Sequence, residues 1–118
     1  MTNEGGERKF DLEERTAKFG EAVILFLKKV TRGPLTDPLI SQLVRAATSI
    51  GANYCEADDA TTKKDFRYRI AICKRESHET KNWLRMFAAA VPGLKDKARV
   101  LWTEAKELHL IFAKIYRS

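Results

Sequence analysis

The stretch LKDKARVLWTEAKELHLIFAKI, residues 94–115, decides the fold. Its apolar positions Leu94, Ala98, Leu101, Ala105, Leu108, Phe112 and Ile115 follow one another at intervals alternating between four and three residues. An α-helix turns once in about 3.6 residues, so this alternation gathers the side chains on one stripe, whereas a strand would need a period of two. Sustained over about three heptads, it is the seam of a helix packed among other helices. The same spacing recurs upstream in Phe66, Ile70, Cys73, Ser77, Thr80, Leu84, Phe87 and Val91. A second long helix therefore runs into Pro92 and Gly93, which break it.

Thr62 followed by Asp65 resembles a capping box with Asp in place of Glu, so this helix is expected from Thr62 to about Ala90. Before it, Leu39, Leu43, Ala47, Ile50 and Tyr54 stripe another helix, with Asp37 read as its N-cap and Pro38 as its first residue. Gly51 among Ala46, Ala47, Ala52 and Ala57 predicts close approach of a neighbouring helix. Leu12, Phe19, Val23, Phe26 and Val30 stripe the first helix, which starts at Asp11 as N-cap with Glu14 at N3 and stops at Gly33 and Pro34. Residues 1–10 are polar and are expected as a flexible N-terminal tail, leaving 11–118 as one bundle domain. Short connections make sequential helices antiparallel neighbours, so the fold class is all-α, an up-down-up-down antiparallel four-helix bundle. No β-alternation or internal repeat competes with it.

Two helices carry more apolar surface than one bundle core can bury. Val23, Ile24, Leu25, Phe26 and Leu27 are consecutive, and residues about 100° apart cover nearly the whole circumference. Trp102, Leu110 and Ile111 lie outside the seam of the last helix. A homo-oligomer is expected.

No apolar run approaches the ~20 residues that span a bilayer, so no membrane partner is expected. The chain opens without a basic start or an apolar segment, which argues against a secretory signal and for a cytoplasmic address. Cys55 and Cys73 fall in helical patterns and read as reduced, space-filling thiols. A di-iron bundle site needs Glu three residues before His, but Arg75 precedes His78 and Lys106 precedes His109. Cys73 and His78, five apart on one helix, diverge and make no nucleophile–base pair. No zinc, P-loop or nucleophile-elbow motif occurs. The expectation is a non-enzymatic protein without metal or cofactor.

Two polar patterns remain. Arg45, Ser49, Asn53 and Glu56 form a line beside the core stripe of the second helix. If the chain reverses near Thr61, Arg45 comes level with Glu76 to Glu79, and these residues together make a structural polar network that fixes register. The third helix carries Lys63, Arg67, Lys74, His78, Lys81 and Arg85, and between Lys63 and Arg85 its balance is +5, from eight basic residues against Asp65, Glu76 and Glu79. The second helix, with Arg45 against Asp37, Glu56, Asp58 and Asp59, stands at −3. A second basic line, Lys95, Arg99, Lys106 and Arg117, includes Trp102. Cations interleaved with an aromatic ring suit phosphate contact with base stacking. Lys63, Arg67, Lys74, Lys81, Arg85, Arg99, Trp102 and Lys106 are therefore the candidates for contact with RNA or DNA. The alternative is a solvated face whose Trp fills a subunit interface, in a protein-assembly scaffold or adaptor that binds no nucleic acid.

The segments LVRAATSIGANYCE, residues 43–56, and KRESHETKNWL, residues 74–84, with Asp65-Phe66 ahead of the second, resemble helices two and three of the bacterial four-helix-bundle proteins related to the 23S rRNA intervening-sequence proteins. The first and last helices match only in pattern. The family's Glu-Gly after helix two is Glu56-Ala57 here, and Asn82 replaces its aromatic before Trp83. The resemblance implies a left-handed bundle assembled as a homopentamer, with no family-wide enzymatic activity. Some relatives are encoded inside intervening sequences of 23S rRNA genes. A more distant one, the accessory protein of diversity-generating retroelements, contacts a reverse transcriptase and nucleic acid, so a protein partner is also implied. Arg45, Ser49, Asn53, Glu56, Asp65, Phe66, Glu76, Glu79 and Trp83 carry over as fold-defining positions.

Overall fold

Pro92 breaks the chain because its ring blocks further helix and it has no N–H to donate. In a computed structural model, which describes the backbone from Glu4 and the side chains from Leu12 to Ser118, a 3-10 turn over Pro92–Leu94 separates α3 (Lys63–Ala90) from α4 (Lys95–Arg117). α1 (Glu4–Leu27) and α2 (Thr36–Asp58) precede them, and there is no strand among the described residues.

The seams read from the sequence form the core. Ile70, Cys73, Ser77, Thr80, Leu84 and Phe87 of α3 are buried, as are Ala98, Ala105, Leu108 and Phe112 of α4. Ser77 and Thr80 pass through the apolar interior because their hydroxyls donate to the Cys73 and Glu76 carbonyls, at 2.8 and 2.7 Å. Phe26 meets Phe87 edge-on with centroids 5.7 Å apart, joining α1 to α3. Gly51 admits α1: a Cβ there would lie 3.3 Å from Thr16 Oγ1, and Thr16 is itself buried.

Helix pairing can be followed contact by contact. Across α2 and α3, Arg45 meets Glu76, Ile50 meets Cys73 and Asn53 meets Arg69. Across α3 and α4, Lys81 meets Trp102, Lys74 meets His109 and Arg67 meets Tyr116. Partner numbers fall along one helix as they rise along the other. α1 lies on α2 and reaches α4 through Arg15, whose Nε donates to Glu104 at 2.7 Å and whose Nη2 does so at 2.9 Å.

Three helix ends differ from the sequence reading. α1 begins at Glu4, ahead of the proposed cap Asp11, whose side chain lies outside the described residues, as do residues 1–3 of the expected tail. α1 closes at Leu27, and the chain tightens through Lys29 and Val30 N–H groups that donate three residues back. α2 starts at Thr36, so Asp37 does not cap it. Its carboxylate is drawn backwards, accepting from Arg32 Nε at 2.6 Å and from the Gly33 N–H at 3.1 Å. These bonds hold the Asp37 carboxyl below its ordinary range, the Arg32 bond contributing most. At the head of α3, Thr62 Oγ1 accepts from the Asp65 N–H at 3.0 Å, so the residue read as a cap serves as one.

Candidate nucleic-acid interface

α3 and α4 run beside each other, so their basic lines meet along one seam. At its centre stands Trp102, half-buried, with the Lys81 and Lys106 ammonium groups each 5.8 Å from the ring centroid. Both lie within reach of the ring's electron-rich face. Arg85, Lys95, Arg99 and Trp102 line a groove of about 420 Å³ whose floor includes Leu84 and Ala98. Among the described residues none of Lys81, Arg85, Lys95, Arg99 and Lys106 has a carboxylate partner. Two cations thus flank the ring and three more line the groove beside it, none ion-paired among the described residues.

A second ring gathers the other candidates. Arg67 Nη1 donates to the Tyr116 carbonyl at 2.6 Å, and its guanidinium carbon sits 4.3 Å from the centroid of the Tyr116 ring. Lys74 Nζ is 5.7 Å from the same centroid. A cation on the last carbonyls of α4 also complements the negative end of the helix. Arg67 is therefore engaged within the fold and is less available to a ligand than Lys81 or Arg99. Lys63 is exposed on the first turn of α3 and joins neither ring.

Between the two rings His78 and His109 face each other with centroids 5.2 Å apart. His109 Nδ1 lies 3.1 Å from the Lys74 carbonyl oxygen. A carbonyl only accepts, so Nδ1 is the donor of this bond, and in the neutral ring Nε2 is left bare. Burial, together with the charges of Lys81, His78 and Lys74, pulls the His109 pKa below its ordinary value despite that bond. His109 is thereby held neutral near pH 7. Among the described residues no three His, Cys, Asp or Glu cluster in a way that could hold a metal ion.

Two glutamates of α3 are committed to α2. Glu76, its side chain only 7% exposed, accepts from Arg45 Nη1 at 3.3 Å, and Glu79 accepts from Arg45 Nη2 at 3.0 Å. Asn53 donates to Ser49 at both its carbonyl and its hydroxyl, and accepts from Arg69 at 3.1 Å. The line on α2 therefore divides into two clusters. Glu56, expected to be a member, is exposed and makes no side-chain bond in either, because α2 turns it outward. Arg69 takes its place, a residue the α2 spacing alone had no means of indicating.

Sequence reasoning also missed Tyr116 and the paired histidines. Tyr116 sits in the last turn of α4, outside the seam, and its only sequence signal was its distance from the Pro92 turn, which matches that of Arg67. Cys73 is buried, which pushes its thiol up to about 12, so it is not a nucleophile at neutral pH.

The chain matches no curated protein. A solved structure of a protein with unknown function from the S23 ribosomal protein family of Bacteroides thetaiotaomicron VPI-5482 superposes with a TM-score of 0.78, covering 91% of this chain and 96% of that one at 21% sequence identity. At that identity the likeness shows the fold alone. The sequence profile described as 23S rRNA-intervening sequence protein matches residues 8–114, nearly the full length, and on that match the chain belongs to the 23S rRNA-intervening sequence protein family.

Proposed function

We propose that this chain is a non-enzymatic, cytoplasmic, up-down-up-down antiparallel bundle that assembles with copies of itself and binds RNA or DNA through the α3–α4 seam. The observation that carries the reading is Trp102 set beside Lys81 and Lys106 and above a groove rimmed by Arg85, Lys95 and Arg99, five cations without a carboxylate partner among the described residues. A merely solvated basic face would be expected to interleave acidic partners. Here these five cations of α3 and α4 have no ion-pair partner among the described residues, while Glu76, Glu79 and Glu104 are committed to Arg45 and Arg15. The opposite numerical order of the helix contacts supports the up-down arrangement, and the family resemblance suggests five subunits.

Titration of the purified chain with labelled RNA at several salt concentrations tests the reading. Phosphate contacts release counterions, so affinity should fall steeply, by at least about tenfold between roughly 50 and 200 mM salt. Absence of binding at the lowest salt would overturn it. A second reading, an assembly scaffold or adaptor without nucleic acid, is favoured by exposed apolar side chains such as Leu25 and Val100. It predicts a defined oligomer that ignores RNA.

A further inference from the structure

The Trp102 groove has a shape as well as a charge. Three of its lining residues are cationic (Arg85, Lys95, Arg99), none is acidic, and its floor of Leu84, Ala88 and Ala98 is apolar. The α1–α2 groove, by contrast, is lined by Glu13, Glu14 and Glu21. An apolar floor beside a half-buried indole, under a rim of cations without carboxylate partners among the described residues, complements a flat aromatic ring with anionic groups linked beside it. Among biological polymers that describes a nucleobase with its flanking phosphates. A base within a duplex hides both faces against its neighbours, and only an unpaired base can offer one to a side chain.

We infer that the groove takes one unpaired nucleobase of a single-stranded nucleic acid, stacked on Trp102, with its flanking phosphates on Arg85, Lys95 and Arg99; this rests on the nucleic-acid reading above. The Lys81 and Lys106 ammonium groups, each 5.8 Å from the ring centroid, occupy the surroundings that the base would enter. A base arriving on the ring displaces at most the ammonium on that face, and the released lysine is free to follow the phosphate. The stacking makes the site tolerant of base identity, since every base has a π-face.

The test uses the full chain with three labelled probes: a single-stranded oligouridine of about ten nucleotides, an abasic oligomer of the same length, and a duplex. Oligouridine should bind roughly tenfold tighter than the abasic strand, which keeps the phosphates and lacks the bases. Trp102→Ala should remove that preference, bringing oligouridine to the affinity of the abasic strand, while Trp102→Phe retains most of it. Ala88→Leu, which narrows the groove and keeps Trp102 itself, should also abolish the preference and keeps the test decisive if Trp102→Ala fails to fold. Equal affinity for oligouridine and the abasic strand overturns the inference, as does a preference that survives both Trp102→Ala and Ala88→Leu. Tighter binding of the duplex than of oligouridine also overturns it, leaving the broader nucleic-acid reading in place. No binding of any probe at low salt overturns both.

Discussion

Arg45 reaches from α2 to α3 and ties down Glu76, a carboxylate only 7% exposed, while its own side chain remains 51% exposed. The two halves of the pair differ in what their loss would do. Arg45→Ala strands the Glu76 carboxylate at a site water scarcely reaches, leaving Arg75 at 3.8 Å as the remaining cation. Because the guanidinium is half in water, the loss should be smaller than for a fully buried pair, about 1–2 kcal/mol. Urea denaturation of the variant should show that decrease. Adding Glu76→Gln should recover part of it, since the neutral side chain no longer needs a cation, and further destabilisation by the second change would contradict the account.

That pairing was legible before the structure, for a physical reason. Once a helix ends near Asp58 and the next begins at Lys63, fixed rise per residue sets which positions lie level, and Arg45 falls beside Glu76 and Glu79. The seams of α3 and α4 were legible for a similar reason, because periodicity is a local property. Helix ends were less so: the Asp37-Pro38 pair carries the chemistry of a cap, but Arg32 and Gly33 compete for the same carboxylate. The site was legible only as composition. Which cations share a ring depends on how α3 folds back on α4, and Lys81 with Trp102 and Arg67 with Tyr116 are pairs set roughly equally far from Pro92.

Replacing Lys81, Arg85 and Arg99 together with Gln should flatten the salt dependence of RNA binding by about 2 in the logarithmic slope, each phosphate contact contributing roughly 0.7–0.9. None of the three makes an ion pair among the described residues, so thermal stability should fall by no more than the Lys81 contact with Trp102 contributes, about 1 kcal/mol or less. Arg67→Gln is a useful contrast. It removes the bond to the Tyr116 carbonyl and should loosen the end of α4 more than it weakens binding. An unchanged slope in the triple variant would exclude the Trp102 seam as the contact surface.

Stability should fall in mildly acidic solution through His109. Its pKa is lowered in the fold by burial first and by nearby positive charge, so the unfolded chain takes up the proton before the folded one does. The stabilising contribution of the neutral ring is complete above the ordinary His value of about 6.5 and is lost as pH falls through it toward the folded value. His78, Lys74, Lys81 and Arg75 are the charged or titratable groups around it, and none is acidic. The melting temperature should drop by a few degrees between about pH 7.5 and 5.5, and His109→Gln should reduce that drop. An equal drop in the variant would place the effect elsewhere.

The two thiols should separate cleanly. Cys55 is exposed and Cys73 is buried, with Sγ 3.5 Å from the Ile50 carbonyl and its pKa pushed up to about 12. A chromogenic disulfide reagent at neutral pH should titrate one thiol in the native protein and both in denaturant. Rapid native labelling of Cys73 would mean that α2 and α3 open far more readily than their packing implies.

The bundle leaves apolar side chains uncovered on two helices. Of the consecutive apolar residues on α1, Val23, Phe26 and Leu27 are buried, but Ile24 is 42% and Leu25 61% exposed. On α4, Val100 is 70% and Leu110 53% exposed. A self-matching patch built from both helices would close a dimer, whereas an interface in which one face meets a different face of the next copy builds a ring. Such a heterologous contact closes into a ring only at the rotation its geometry allows, and the family resemblance supplies the number five. Light scattering at micromolar concentration should therefore report a discrete oligomer. Ile24→Lys with Leu25→Lys should lower its mass, since two ammonium groups would have to be desolvated at the interface, while the helices persist by circular dichroism. A wild-type monomer would defeat the burial argument outright. A dimer or tetramer would keep the need for partners and discard the pentamer.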